Sequence, residues 1–472
     1  MRKATVCAAK LGLAFLLGTV TLPGQAQSLR TELLAVPLTP QLGGAATVAR
    51  ADNQAFKQMV PNAGGMRFPQ FMFGQRQFVS EWDPAPGEVP DQDGLGPAFN
   101  AVACASCHIN NGRGHPPLQA EAFESILVRL SVPGDDGHGG PRPVANYGLQ
   151  LQHRAVSGVP PEGTATLRWD EVSGSYADGT SYTLRKPVLE FSELAYGDLP
   201  AETLSSLRIA NPVIGLGLLA SIPAADMAAL ADPDDANKDG ISGRMNIVWD
   251  SKLQATAPGR FGWKANVSTV ELQNAGAALG DMGITTLLNP SDNCPAAQAE
   301  CVKAAALHPD EPQFRPEFFD QLTRYVALLG VPQQRAAAAA EVQQGQALFY
   351  NAGCVQCHMP TLRTGANEEF PELANQTIHP FSDLLLHDMG PGLADGRPDY
   401  LASGSEWRTA PLWGVGLTKT VTGHEYYLHD GRARSLAEAI LWHGGEAAAA
   451  QARFLSLSEA ERRVLIEFLQ SV

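Results

Sequence analysis

Cys104-Ala-Ser-Cys107-His108 and Cys354-Val-Gln-Cys357-His358 are two copies of one short pattern, CxxCH, in a chain of 472 residues. A dithiol redox site needs no histidine after its second cysteine, and a zinc site needs four ligands that lie close together. Covalent attachment of haem uses every element of the pattern, because the two thiols bind the haem vinyl groups and the histidine binds the iron. The sequence therefore predicts two c-type haems, held by two cysteine pairs and two iron ligands: Cys104 and Cys107 with His108, and Cys354 and Cys357 with His358.

The first residues predict an exported protein. The chain begins Met1-Arg-Lys, continues with an apolar stretch at residues 11–22 and then turns to small and polar residues. This order is typical of a secretory signal peptide, which we place at residues 1–26. No later stretch is apolar and long enough to cross a bilayer, so we expect a periplasmic protein without a membrane span after cleavage. In such an oxidising compartment, Cys294 and Cys301 are expected to form a local disulfide rather than to remain free thiols.

The charge of the chain limits the partners that it can bind. The formal net charge is −15, and residues 1–26 contain three basic residues and no acidic one, so the mature chain would carry −18. An acidic surface argues against binding to nucleic acid or to anionic membranes. It is compatible with a small basic protein that donates electrons.

The pattern of apolar residues predicts a mainly α protein with two cytochrome c-like haem domains. We expect the N-terminal haem domain to span residues 27–330 and the C-terminal cytochrome c domain to span residues 331–472. Polar and apolar residues alternate in several short runs between about 124 and 190, which predicts a β-rich insertion in the first domain. Asp178-Gly179 is expected to form a hairpin turn within this insertion.

Eight further segments carry a resemblance to a known family. They flank the first motif, fill the region between the motifs and continue towards the C-terminus: residues 94–101, 112–114, 239–244, 259–264, 281–285, 386–390, 406–413 and 429–436. From about residue 68 onward, the chain resembles the bacterial di-haem oxidoreductases that are described as peroxidases. This family is related to the di-haem cytochrome c peroxidases and to the di-haem enzyme that matures a tryptophylquinone.

The resemblance implies a reaction and a set of partners. A protein of this kind is expected to reduce H2O2 with electrons from a small donor protein of the cytochrome c or cupredoxin type, and to pass the electrons between its haems. Two alternatives stay open. One is a non-enzymatic periplasmic cytochrome that only transfers electrons, and the other is an oxidase that acts on a protein or on a sulfur compound.

The resemblance also implies candidates for the remaining iron ligands. Relatives place the sixth ligand of the C-terminal haem a short way after the 429–436 segment, where this chain has His443, with Met389 as the runner-up. No residue stands out as a distal ligand of the N-terminal haem. The residues that remain open as its distal ligand are His115, Glu121, Glu124 and His153. Trp263 has two possible roles: it would lie between the haems and carry electrons, or only pack there.

A short acidic stretch predicts a possible second kind of metal site. Asp235, Asn237 and Asp239, followed by a glycine, match the first half of an EF-hand calcium loop. Asn246 stands where such a loop has its closing bidentate glutamate. Because related di-haem enzymes hold a calcium ion between domains, the two readings are a bound Ca²⁺ and a plain acidic turn.

Overall fold

The computed structural model describes residues 23–89, 91–117, 123–307 and 312–472. The predicted signal peptide therefore lies almost wholly outside the described residues, as does Glu121. Helices account for 32% of the structure and strands for 19%, with the strands divided among many small sheets. The expectation of a mainly α protein with two cytochrome c-like haem domains is thus wrong, and the fold class is mixed. Most of these strands are only two to four residues long, which is too short for a periodic pattern in the sequence to reveal them.

The helices are spread along the whole chain and vary from four to thirteen residues. Helices α2, α8, α9 and α14 are the ones that frame the two CxxCH motifs. In chain order the helices are α1 Pro23–Leu34, α2 Arg67–Val79, α3 Cys104–Cys107, α4 Leu216–Ala220, α5 Ala224–Leu230, α6 Val270–Met282, α7 Ala299–Ala305, α8 Pro316–Ala327, α9 Ala340–Asn351, α10 Gly390–Leu393, α11 Thr418–Thr422, α12 Leu436–Leu441, α13 Ala448–Ser456 and α14 Glu459–Ser471.

The strands form small sheets, mostly antiparallel pairs. The pairs are β9–β10, β12–β13, β14–β15, β2–β5 and β6–β7, while β4–β3–β8 is three-stranded and β1–β11 is parallel. In chain order the strands are β1 Thr47–Val48, β2 Ala98–Phe99, β3 Ile126–Asp135, β4 Pro141–Arg142, β5 Arg154–Ala155, β6 Thr164–Ser175, β7 Ser181–Ser192, β8 Leu204–Ile209, β9 Ile247–Asp250, β10 Ala255–Pro258, β11 Val331–Pro332, β12 Leu362–Arg363, β13 Thr377–Ile378, β14 Leu386–Asp388 and β15 Glu406–Arg408.

Each half of the chain contains a pair of helices that cross at a glycine. In the N-terminal half α2 packs on α8, and in the C-terminal half α9 packs on α14. A Cβ atom at Gly74 of α2 would overlap the backbone carbonyl of Gln321, and one at Gly345 of α9 would overlap that of Val464. Only glycine permits backbones to approach this closely. The two halves therefore use the same crossing to build the framework around each motif.

The segment from about 124 to 190, where the sequence predicts a β-rich insertion, contains strands β3 to β7, and its longest part reaches into the other half of the chain. Strands β6 and β7 pair over their full length and turn near Asp178-Gly179, as the sequence predicts. At the turn, Asp178 forms an ion pair of 2.7 Å with Arg462 of α14. Further along, Arg185 of β7 donates hydrogen bonds to the backbone carbonyls of Gly431 and Arg432. The hairpin thus ties the C-terminal half to the insertion.

The buried core is continuous through both halves. Buried side chains from α2 and α8 belong to the same apolar cluster as those from α9 and α14. At the predicted boundary near residue 330, strand β11 pairs with β1 from the N-terminal segment. The predicted disulfide between Cys294 and Cys301 is present. Within the described residues, no helix combines the length and the apolar character that a membrane crossing requires.

The close crossing of α9 and α14 generates a stability prediction. Replacing Gly345 with alanine would put a methyl group against the carbonyl of Val464 and 2.8 Å from the Cβ atom of Phe468. Overpacking of this kind is expected to lower the free energy of unfolding by about 1–3 kcal/mol. Urea unfolding followed by circular dichroism measures the change.

Gly65 provides the matched control, because a Cβ atom there has no neighbour within 4 Å. Gly65→Ala is expected to change the free energy of unfolding by no more than about 0.5 kcal/mol. Equal effects of the two substitutions would show that the crossing does not depend on glycine.

Candidate functional site

The first CxxCH motif forms a single helical turn, α3, with His108 directly after it. The Nδ1 atom of His108 donates a hydrogen bond of 2.7 Å to the backbone carbonyl of Asn211. Burial lowers the pKa of His108 to about 4, so the imidazole is neutral. A neutral imidazole whose Nδ1 is held by a carbonyl presents the lone pair of Nε2, which is the arrangement that metal-binding histidines use. Cys104, Cys107 and His108 line a common cavity of about 280 Å³, the N-terminal cavity.

The second motif repeats this arrangement in the C-terminal half. His358 donates a hydrogen bond of 2.8 Å from Nδ1 to the backbone carbonyl of Phe381. Burial lowers the pKa of His358 to about 4 as well. Cys354, Cys357 and His358 line a second cavity of about 340 Å³, the C-terminal cavity.

His443 lies in the C-terminal cavity opposite His358. It follows α12, whose first turn is capped by the side chain of Ser435. Its Nδ1 atom donates to the carbonyl of Ala439 at 2.7 Å, and its ring centre is 6.5 Å from that of His358. Two metal–nitrogen bonds of about 2 Å each, plus the distance from each nitrogen to its ring centre, account for a separation of this size. His443 as an iron ligand stays a prediction, and this separation is compatible with it.

Met389 also lines the C-terminal cavity, so the structure places both predicted candidates at the same site. It immediately precedes α10 and is only partly buried. Beside it, His387 is fully buried between two carboxylates, Asp383 at 3.0 Å and Glu446 at 2.7 Å. These contacts fix the segment that carries Met389.

The described distal candidates that the sequence left open for the N-terminal haem do not line the N-terminal cavity. Among the described candidates, His153 accepts a hydrogen bond from the amide nitrogen of Asn100, and His115 packs its ring against that of His424, 4.9 Å away. The backbone carbonyl of Glu124 accepts a hydrogen bond from Cys107. The residues that line the cavity include none of these three.

Sequence reasoning missed the polar groups that do line the N-terminal cavity. Helix α6 contributes Gln273, Asn274 and Asp281, and strand β3 contributes Arg129. Asp281 accepts a hydrogen bond of 3.0 Å from Gln150, and burial raises the pKa of its carboxyl group. A helix in which polar residues alternate with Gly and Ala gives no signal of this role in a single sequence.

A second missed signal concerns the aromatic ring beside each proximal histidine. Phe78 of α2 lies 5.9 Å from His108 between ring centres, and Phe349 of α9 lies 6.3 Å from His358. Each follows the crossing glycine of its helix by four residues, in Gly74-Gln-Arg-Gln-Phe78 and Gly345-Gln-Ala-Leu-Phe349. This repeat, seen together with the CxxCH motifs, would have identified α2 as the helix of the N-terminal half that corresponds to α9.

The two cavities share one wall. The residues that line both cavities are Arg113, Trp263, Arg408, Ala410 and Pro411, which we call the shared wall. Trp263 donates a hydrogen bond of 2.8 Å from its indole nitrogen to the carbonyl of Ile209. The sequence left two roles open for Trp263, a position between the haems and simple packing. Its place in the shared wall matches the first.

The residues of both cavities suit a haem group. Each cavity has two cysteine thiols and a neutral imidazole, and its lining is mainly apolar: for the N-terminal cavity Phe78, Leu322 and Val326, and for the C-terminal cavity Phe349, Leu393 and Leu465. Thiols, imidazole and an apolar surround are what c-type attachment requires.

The predicted calcium residues form an exposed turn that satisfies its own oxygens. Asp235 accepts from the backbone N–H of Gly240, Asn237 from that of Asp239, and Asp239 from that of Ile241. Among the described residues, no group of three or more His, Cys, Asp or Glu side chains is placed to hold a metal ion. Calcium therefore stays a prediction from the sequence alone.

Two cavities, each built on a CxxCH motif, define a protein with two haem sites. The sequence profile of one family, described as "Di-haem oxidoreductase, putative peroxidase", matches residues 39–472. The chain therefore belongs to this family and is a di-haem oxidoreductase, as the resemblance of its segments predicts. A search of curated proteins finds no match.

The facing pair of histidines generates a spectroscopic prediction. Replacing His443 with glycine is expected to convert one of the two haems from a low-spin to a high-spin spectrum, because it removes the imidazole opposite His358. Absorption and electron paramagnetic resonance spectra of the haem-loaded protein measure the change.

Met389→Leu is the control for this experiment, since Met389 lines the same cavity and is the competing candidate. It is expected to leave both spectra unchanged. The opposite outcome, with the spectrum changed by Met389→Leu and not by His443→Gly, would assign the ligand to Met389.

Proposed function

We propose that this chain is an exported peroxidase with two covalently attached haem c groups. It reduces H2O2 with electrons from a small donor protein of the cytochrome c or cupredoxin type, and it passes those electrons from one haem site to the other. Membership of the di-haem oxidoreductase family supports the class of protein. The observation that carries the reaction is the difference between the two cavities.

The C-terminal cavity has two histidines that face each other, His358 and His443, whereas His108 is the only histidine among the described residues that line the N-terminal cavity. An iron with two imidazole ligands has no free position and is suited to storing and passing electrons. An iron with one imidazole can admit a small substrate on its other side. We therefore assign peroxide reduction to the N-terminal cavity and electron entry to the C-terminal cavity.

Haem supplies the redox chemistry of O–O bond cleavage when it is bound, and the protein supplies proton transfer. Asp281 is the group that we assign to this task. Its Oδ1 atom accepts from Gln150, which leaves Oδ2 for the substrate. The carboxylate would take the proton from one peroxide oxygen and return it to the other, which leaves as water; two electrons from the donor and two protons from solvent would convert the remaining oxygen to a second water.

Trp263 provides the path for electrons between the two sites. It lies in the shared wall, and its indole is held in place by the carbonyl of Ile209 and by the guanidinium of Arg113, 5.5 Å from the ring centre. An aromatic side chain held rigidly between two redox sites shortens each electron-transfer step.

Export and the choice of donor are part of the same proposal. The basic and apolar pattern of residues 1–26 and the Cys294–Cys301 disulfide support a periplasmic location. The net charge of −15 supports a donor with a basic surface, since opposite charges speed the encounter.

The proposed role of Asp281 predicts a loss of turnover. Asp281→Asn keeps the size of the side chain and removes the proton-accepting group, so H2O2 reduction is expected to fall by about 10²-fold or more. Steady-state oxidation of a reduced small c-type cytochrome by H2O2 measures the rate. Asp281→Glu retains the carboxyl group and is expected to keep a substantial part of the activity.

The pH dependence of the wild-type rate follows from the same residue. The active form is the carboxylate, so activity is present above the pKa of Asp281 and is lost as the pH falls through it. Because burial raises this pKa, the loss begins at a higher pH than for an exposed aspartate. In Asp281→Asn this dependence should vanish; its persistence would assign the acid–base role to another group.

A spectrum of the half-reduced protein tests the whole assignment. Peroxidase chemistry requires that one haem then has an open coordination position. Two haems that both stay low-spin and six-coordinate, with no turnover of H2O2, would instead indicate a cytochrome that only transfers electrons.

The position of Trp263 predicts a kinetic effect. In the Trp263→Phe variant, a reduced donor is expected to reduce the first haem at the wild-type rate and the second haem more slowly. Stopped-flow spectroscopy follows both reactions after mixing. Trp413→Phe is the control, because Trp413 is also buried but lines only the N-terminal cavity. Equal slowing in both variants would show that Trp263 acts only through packing.

A further inference from the structure

The shared wall contains two buried cations that the protein itself does not neutralise. Arg113 is 6% exposed and Arg408 is 8% exposed, and each lines both cavities. Neither guanidinium lies within ion-pair distance of a carboxylate among the described residues. The Nε and Nη1 atoms of Arg113 are buried without any hydrogen-bond acceptor. Among the described residues, the guanidinium of Arg408 donates only to the backbone carbonyls of Gly262 and Thr409.

Other buried cations nearby are treated differently. Arg208 and Lys264 each lie 2.9 Å from Asp395, and Arg397 lies 2.9 Å from Asp399. The protein therefore supplies a carboxylate to each of these three charges. A buried guanidinium without an anion costs several kcal/mol, so a protein that keeps two in one wall leaves them for an anion that binds there.

The carboxylate that attracts Arg408 within the protein already has another partner. Asp383 attracts Arg408, but its carboxylate lies 3.0 Å from His387 and the two are paired. The guanidinium of Arg113 lies near two aromatic rings, those of Trp263 and Tyr427, at 5.5 and 5.9 Å. Burial lowers the pKa of each arginine to about 10, and both remain charged at neutral pH.

We propose that Arg113 and Arg408 form one anion site in the shared wall, which binds propionate carboxylates of both haems and sets both reduction potentials together. The inference rests on the proposed occupation of both cavities by haem. Each haem carries two propionates, and a planar guanidinium suits a carboxylate through paired hydrogen bonds. Because the site borders both cavities, a single substitution should act on two haems.

The direction of the effect follows from electrostatics. A positive charge close to a haem favours its reduced form, which carries one positive charge fewer. Arg113→Gln removes this charge without removing the bulk of the side chain. The midpoint potentials of both haems are therefore expected to shift to lower values, as measured by spectroelectrochemical titration in the absence of peroxide.

Arg260→Gln is the matched control. Arg260 is also largely buried and lacks an ion pair among the described residues, but it lines neither cavity and donates to the carbonyl of Leu219. It is expected to leave both potentials unchanged. If Arg113→Gln binds less haem, Arg113→Lys is titrated in the same way. It keeps the charge but loses the paired hydrogen bonds, and both potentials should shift less, in the same direction.

The outcomes separate this inference from the proposed function. A pyridine haemochrome spectrum and the intact mass first show whether each variant carries two covalent haems; a wild-type protein without them would defeat the proposed function itself. With both haems present, a shift in only one potential, or in neither, would overturn the shared site. Turnover of H2O2 does not enter the measurement.

Discussion

The wall that the two cavities share is the constraint on which the rest of the structure depends. The proposed function requires electrons to cross this wall, and the wall holds charged and aromatic side chains in the protein interior. Trp263 and Arg408 meet these needs because the carbonyls of Ile209 and Gly262 fix them, and the N–H of Arg408 in turn bonds to the carbonyl of Trp263. A backbone from each half therefore braces the wall.

The two halves are held against this wall by contacts that cross between them. The glycine crossings at Gly74 and Gly345 bring each helix pair close enough to support the proximal histidine of its own half. The β6–β7 hairpin then fastens the insertion to α14 through Asp178 and Arg462. With one continuous core, the halves cannot rotate freely, and the spacing of the two sites is a property of the fold.

Much of this arrangement could be predicted from the sequence, and the reasons for the rest are physical. The CxxCH motifs, the hairpin turn and the disulfide depend on neighbouring residues, so short stretches reveal them. Asp281 and the shared wall depend on contacts between segments far apart, which no periodic pattern records. The balance of helix and strand was misjudged because pairings such as Thr47–Val48 with Val331–Pro332 involve too few residues to leave a pattern.

The two sites hold charge differently, and this difference is the basis of the separate tasks that we propose for them. Around the C-terminal cavity, His387 is paired with carboxylates, and His443 faces His358 as a second imidazole for a bound haem. Around the N-terminal cavity, Asp281 is half-buried with the amide of Gln150 on its Oδ1, which suits it to the proton transfer that we propose for it. The buried arginines between the two sites link the two environments in the anion site that we infer. Because these charges lie in the protein interior, salt screens them little, so a change of charge in the shared wall is expected to act on both sites.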